Sequence, residues 1–343
     1  MLYKRTMSEM LKKRVVVVGG GTGTHTILRG LKKYTDEIDI TAIVTMADSG
    51  GSTGRLRDEF GQLPVGDVRM ALAALSADTG PHEELLRELF LYRFDKGEGL
   101  AGHTFGNLFL TALTEILGSS SEAIKTAGEV LRVVGRVLPV TADNVHLVAT
   151  YDDGVEIVGE HAIDTPPPER CQNMIVGVRV TPEATLTSEA AEAIRTADMV
   201  ILGPGDLYTS IIANLVVGGF AEALTQSAAR VLYVSNLMSR PGQTNGMMTA
   251  DYVSEITTYG GRAPDCVLIN NSPYPTDLLV RYAAEHTYPV VHNSIDVSYD
   301  VVVTDLVSTE SVTTVAGDVL KRSLIRHDSD KLAIVFLQQL GLR

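Results

Sequence analysis

The sequence predicts an α/β fold, a mostly parallel sheet covered by helices on both faces and carrying a small helical and antiparallel β insertion. Three observations predict it. Short β-branched or apolar runs recur at residues 15–18, 40–44, 199–202, 231–234 and 266–269. Segments of helical period separate most of them, the alternation expected of parallel strands joined by crossover helices. Each run also ends in glycine, asparagine or hydroxyl residues, and open parallel sheets bind ligands at these carboxyl ends.

Taken in order, residues 1–13 read as a flexible basic extension, with Met7 and Met10 leaving a later start open. Residues 14–343 read as a single nucleotide-binding domain. The first run, residues 15–18, breaks into Gly19-Gly20-Gly21-Thr22-Gly23 and then an amphipathic helix carrying Ile27, Leu28 and Leu31. Between the second and third runs lies an insertion over 83–165. It reads as helices at 83–94, 104–117 and 121–134, then short strands at 137–140, 145–151 and 155–158. Asp152-Asp153-Gly154 is an Asp-Gly hairpin signal, so the last two strands should pair antiparallel. Thr165-Pro166-Pro167-Pro168 is a rigid boundary whose prolines exclude helix. Residues 331–340 read as a closing helix.

Composition narrows the function. The formal charge of -13 leaves no basic excess for nucleic acid or an anionic membrane, so an anionic ligand must be held by local groups. Cys171 and Cys266 are far apart and lack metal-ligand spacing, which fits packed thiols in a reducing compartment. No apolar run is long enough to span a membrane, and a cytoplasmic location is expected.

Four glycines in the five residues 19–23 open a helix, where backbone N–H groups can meet a phosphate. Gly20, Gly21, Thr22 and Gly23 are therefore candidate ligand residues, although glycines also serve a tight turn for steric reasons alone. The loop fits neither the dinucleotide fingerprint, whose sixth place here is Thr24, nor the Walker pattern. After residues 40–44 comes a second cluster from Asp48 to Arg55. Asp48 could hold a ribose hydroxyl, coordinate Mg²⁺ or orient an attacking group, and it is the candidate catalytic and metal residue; Arg55 could pair a phosphate. An Asp-Ser-Gly turn with a solvated arginine explains the same residues. Asp67 reads as a helix cap. Arg69 is a cation in a first helical turn, unfavourable unless an anion is near. His103 and Asn107 lie at another helix start. Gly203 and Gly205 frame a second phosphate cradle, followed by Tyr208, Thr209 and Ser210. Asn236 and Asn270 stand at strand ends with amides able to read a base or sugar, or to serve turns.

Together these motifs are similar to the YvcK-type branch of the CofD-like superfamily, the gluconeogenesis factor family. The resemblance rests on Gly-Gly-Gly-Thr-Gly at 19–23, Ala47-Asp48 with the Gly50-to-Arg57 segment, Gly66-Asp67-Val68-Arg69, Gly102-His103 with Gly106-Asn107-Leu108, Gly203-Pro204-Gly205 with 207–212, Pro241-Gly242-Gln243-Thr244, Asn270-Asn271, Arg281-Tyr282 and Arg326-His327-Asp328. It implies a Rossmann-like three-layer α/β/α fold and a bacterial regulator that binds a nucleotide, with UDP-N-acetylglucosamine the leading candidate. It also implies roles for Tyr282 and Arg326 at the nucleotide sugar, and a link between gluconeogenic growth, envelope precursor supply and cell shape. Such a regulator would act through a protein partner, and a homo-oligomer is left open. The sister branch holds Mg²⁺-dependent 2-phospho-L-lactate transferases, which makes a phosphoryl-group transferase the alternative. Two departures bear on it: Ser49 stands where the family commonly has a second Asp, and Asp206 where it commonly has Ser. A nicotinamide-dependent oxidoreductase binding an NAD-like ligand has least support, because the glycine code is broken and no hydride-transfer dyad can be named.

Overall fold

The computed structural model describes residues 12–78, 80–293, 298–309 and 323–343. The expected extension falls mostly on residues 1–11, outside the described residues. In chain order the strands are β1 (Lys13–Gly19), β2 (Ile38–Val44), β3 (Arg136–Pro139), β4 (His146–Tyr151), β5 (Glu156–Val158), β6 (Ile175–Thr181), β7 (Met199–Leu202), β8 (Arg230–Val234), β9 (Cys266–Asn270) and β10 (Asp300–Thr304). Helix α1 (Gly21–Leu31) follows β1, and α2 (Gly51–Phe60) and α3 (Gly66–Leu75) follow β2. Then come α4 (Pro81–Leu91), α5 (Phe105–Leu117), α6 (Ser120–Val130), the short α7 (Glu160–Asp164) and α8 (Ser188–Thr196). A π-helical turn over Leu207–Ile212 runs into α9 (Ala213–Leu215), followed by α10 (Phe220–Gln226), α11 (Thr249–Gly260), α12 (Thr276–Ala283) and α13 (Ser329–Gln339).

Over these residues the main sheet has seven parallel strands in the order β3-β2-β1-β7-β8-β9-β10. The valines of β1 and all four residues of β7 are buried, as a strand covered on both faces requires. Helix α1 packs between α3 and α13, and α10 packs between α8 and α11. From β1 the order runs one way through β2 to β3 and the other way through β7 to β10. The boundary between β1 and β7 is therefore the topological switch point, the kind of place where open parallel sheets bind ligands in a crevice. A second sheet, β5-β4-β6, is antiparallel.

The Asp-Gly hairpin forms as expected between β4 and β5, with Gly154 at φ 78. Residues 137–140, expected among the insertion's strands, instead supply β3, which pairs in parallel with β2 and closes one edge of the main sheet. Strands β6 and β10 were not anticipated. β10 is an edge strand whose valines stay partly exposed, and β6 carries Gly177 at its middle. Helix α4 stops at Leu91, short of 94, because Tyr92 turns extended and Arg93 bridges Thr104. Helix α6 stops at Val130, short of 134, where Arg132 takes a positive φ of 49 and Val133 bridges Ser76. The proline segment does not exclude helix entirely: Pro168–Arg170 forms one 3-10 turn, which proline tolerates at a first helical position. The closing helix starts at Ser329 because Asp328 accepts from the N–H groups of Asp330 and Lys331 at 2.9 and 3.0 Å. Among the described residues no helix is long and apolar enough to cross a membrane.

Candidate functional site

The two glycine loops meet at the switch point. An ideal Cβ on Gly23 would lie 1.8 Å from the Pro204 carbonyl oxygen, so only glycine lets α1 and the loop after β7 touch backbone to backbone. Gly20 is the extended N-cap of α1, and Thr22 is exposed at its first turn. The second loop is bracketed from β8: Asn236 Nδ2 donates to the Gly205 carbonyl at 2.7 Å, while its Oδ1 accepts from the Tyr233 hydroxyl at 2.8 Å. Asn214 Nδ2 donates to the carbonyls of Gly19 at 3.2 Å and Ser210 at 2.7 Å, tying the π-helical turn to the end of β1. The first N–H groups of such a turn lack intrahelical acceptors, and π-helical segments gather at functional sites. Gly203, Gly205, Thr209 and Ser210 thus stand with Gly20, Gly21, Thr22 and Gly23 around one crevice.

Carboxylates line the same place. The Gly21 N–H, first of α1, is not open: it donates to Asp67 Oδ1 at 2.8 Å. Asp67 is therefore not the cap of its own helix, whose N-cap is Val65, but the carboxyl seated at the start of α1. Asp48 Oδ1 accepts from the Gly50 N–H at 2.9 Å, and Thr53 also bonds this carboxylate. Gly66 packs directly on it, since a Cβ there would lie 2.2 Å from Asp48 Oδ2. Two further acids come from α7, which β4 and β5 carry across to the crevice. Glu160 Oε2 accepts from the Ser49 N–H at 3.4 Å, and Ser49 Oγ accepts from the His161 N–H at 3.0 Å. Ser49 thereby fastens the loop after β2 onto α7. Asp164 Oδ1 accepts from Thr209 Oγ1 and Gln243 Nε2, both at 2.8 Å.

Burial, with neighbouring negative charge, pushes several of these carboxyls above their usual range. Burial pushes Asp48 up; burial and the Asp48 charge push Asp67 up to about 7; burial and then Asp48, Asp164 and Asp67 push Glu160 well above the usual carboxyl range. Burial also raises Asp206, against the pull of Arg240. Arg69 faces Asp48 and Asp67, and Arg240 faces Asp206, Asp164 and Glu160. Sequence reasoning missed Glu160, Asp164 and Arg240. The available signal was Glu160 and Asp164 four apart, on one helical face just before the prolines.

Other expected residues make contacts away from the two glycine loops. Arg69 Nε donates to Asn107 Oδ1 at 2.8 Å, Asn107 Nδ2 donates to Ser52 Oγ at 3.1 Å, and Ser52 Oγ bonds His103 Nδ1 at 3.0 Å. This buried chain joins α2, α3 and α5 behind the acids; it explains a cation in the first turn of α3. Replacing Asn107 by alanine should lower the unfolding free energy by about 2–3 kcal/mol, because it strips a buried guanidinium of an acceptor. Thermal unfolding checks it, and an unchanged midpoint would contradict the network. Arg55 is exposed and donates from Nη2 to the Ala101 carbonyl at 3.1 Å. Tyr208 is buried with its hydroxyl on the Ile175 carbonyl at 3.4 Å, directed to β6. Asn270 closes its own turn, bonding Ser272 through both amide atoms and accepting from the Leu306 N–H at 3.0 Å. The Tyr282 hydroxyl accepts from the N–H groups of Leu324 at 2.7 Å and Ile325 at 3.3 Å. Arg326 is half-buried beside them, its carbonyl accepting from the Ser308 N–H at 2.8 Å. Tyr282 and Arg326 thus stand on the β8–β10 side of the sheet end, although Tyr282 also acts on Arg240 electrostatically.

A family model described as 2-phospho-L-lactate transferase CofD matches residues 15–310. The chain belongs to the CofD family. Within it, the chain is similar to proteins named gluconeogenesis factor. It is 39% identical to the one from Bacillus subtilis over 338 residues, covering 96% of this chain and 98% of that one. It is 42% identical to the one from Halalkalibacterium halodurans over 284 residues, covering 82% and 85%. A crystal structure of a UPF0052 family protein from Bacillus halodurans superposes with a TM-score of 0.85 at 37% identity, covering 96% of this chain and 99% of that chain. The CofD-family likeness spans both sheets and the crevice loops.

Proposed function

We propose that the chain is a regulator that binds a nucleotide sugar of the UDP-N-acetylglucosamine kind and relays its level to a protein partner, linking gluconeogenic metabolism to envelope synthesis and cell shape. The observation that carries the ligand class is the meeting of two glycine loops at the β1/β7 switch point, with N–H groups at helix starts on both sides. The names of the relatives support the metabolic part. A carboxyl-rich crevice accepts a phosphate because burial raises Asp48, Glu160 and Asp67, the last to about 7, and because Arg69 and Arg240 stand at its two sides.

The family model's description favours a second reading, transfer of a phosphorus-containing group. The donors present give little support to magnesium, which that reading implies. Asp48 accepts from Gly50 and Thr53, and among the described residues no group of three or more His, Cys, Asp or Glu side chains could hold a metal ion. Calorimetric titration with UDP-N-acetylglucosamine, UDP-glucose and NAD, each with and without Mg²⁺, separates the readings. The regulator reading expects selective micromolar binding of a UDP-sugar without metal, weakened more than tenfold in Arg326→Ala, on the order of 1.4 kcal/mol or more. Binding of another nucleotide only with Mg²⁺ would move the assignment to a transferase.

A further inference from the structure

Arg240 sits on a pinned backbone with a loosely held head. Its N–H donates to Thr244 Oγ1 at 2.8 Å, and its carbonyl accepts from the N–H groups of Gln243 and Thr244 at 3.1 and 2.9 Å. The guanidinium, by contrast, makes no close ion pair. Its Nη2 lies 3.7 Å from Asp206 Oδ2, 3.8 Å from Asp164 Oδ2 and 3.4 Å from the Asp164 carbonyl. Some ion pairs elsewhere close fully, as at Lys32–Asp78 and Lys331–Asp305, both 2.6 Å, while others stay open, as at Lys12–Asp39 at 4.0 Å. A charge-assisted hydrogen bond would be near 2.8 Å, so the two carboxylate contacts of Arg240 are attraction without a formed bond, and its hydrogen bond to the Asp164 carbonyl is a long one. Both partners also keep water access, with side-chain exposures of 38% for Arg240 and 33% for Asp206.

The Asp206 backbone is equally fixed. Its carbonyl accepts from the N–H groups of Ser210 and Ile211 at 3.0 and 3.2 Å, and the preceding Gly205 carbonyl is held by Asn236. The Asp206 carboxylate therefore projects from the rim of the second glycine loop, where a bound phosphate would lie, and faces the guanidinium that would receive it.

We propose that Arg240 is the cation that takes the phosphate oxygens of the ligand, and that Asp206 is a built-in competitor that occupies this cation until the ligand displaces it. This rests on the phosphate-ligand reading given above. A guanidinium fork can meet two phosphate oxygens in one plane, which the present 3.7–3.8 Å contacts do not do. The pair thus sets a threshold: a ligand must offer more than one carboxylate does.

The test compares wild type, Asp206→Asn, Arg240→Gln and Arg240→Lys, with thermal unfolding as the folding control. Titration with UDP-N-acetylglucosamine should be about tenfold tighter in Asp206→Asn and at least about tenfold weaker in Arg240→Gln, with partial recovery in Arg240→Lys. Equal affinity in all four would overturn the proposal and leave the phosphate-ligand reading standing. A second measurement covers the case in which no form binds the nucleotide sugar, which would sink that reading instead. Phenylglyoxal labelling of Arg240, followed by mass spectrometry, should be slowed by inorganic pyrophosphate, at lower concentration in Asp206→Asn than in wild type. Labelling unaffected by pyrophosphate in both would overturn the proposal.

Discussion

Replacing Gly23 by alanine is expected to cost about 3 kcal/mol of unfolding free energy and to abolish nucleotide binding. The added methyl would sit 1.8 Å from the Pro204 carbonyl oxygen and 2.6 Å from its carbonyl carbon. Neither can rotate away, because both belong to the backbone of a loop that Asn236 clamps at Gly205. Relief requires α1 to lift from the loop after β7, which separates the two halves of the crevice. Thr22→Ala, one residue earlier and exposed, is the control and should leave stability within about 0.5 kcal/mol. Denaturant unfolding followed by calorimetry on the two variants reads both effects. A Gly23→Ala protein with wild-type stability and affinity would mean that the loop contact does not organise the site.

The second large effect concerns pH. Asp67 titrates near 3.8 when unperturbed and about 7 in the folded chain. Between those values the folded state holds a proton that the unfolded state has lost, so the stabilising difference is present at low pH and disappears as pH rises through 7. Wild type should therefore lose stability from pH 5 to pH 8. Asp67→Asn keeps an oxygen acceptor for the Gly21 N–H but cannot ionise. Its stability should vary less over the same window, and above pH 8 it should exceed wild type by about 1–4 kcal/mol. Asp48 and Glu160 share the same field, so some slope should remain in the variant. Parallel stability curves for the two proteins would show that Asp67 does not hold its proton near neutrality.

The sheet was legible where its chemistry is local. A buried valine run that breaks into glycines announces β1 and its loop, and the equivalent break after Leu202 announces the second loop. What sequence could not reveal is convergence. Asp48, Asp67, Glu160, Asp164 and Asp206 come from four separate segments, and only the small antiparallel sheet brings α7 over the crevice. Asp67 shows how a local rule misleads. An acid at a helix start is an expected cap, yet its partner is the Gly21 N–H 46 residues earlier. Asn236 and Asn107 look like ligand readers because amides at strand ends and helix starts can be; in the fold Asn236 also brackets the Gly205 carbonyl and Asn107 a buried arginine. β10 escaped notice because an edge strand buries only part of its surface, leaving weak apolar patterning.

A phosphate-bearing nucleotide is expected to sit where the two glycine loops meet. Hydrogen–deuterium exchange with and without saturating UDP-N-acetylglucosamine tests it most directly. Slowed exchange is expected at residues 20–24 and 205–210, the two helix starts that face the crevice. Binding without protection at either segment, or protection confined to residues on the β9–β10 side, would contradict it.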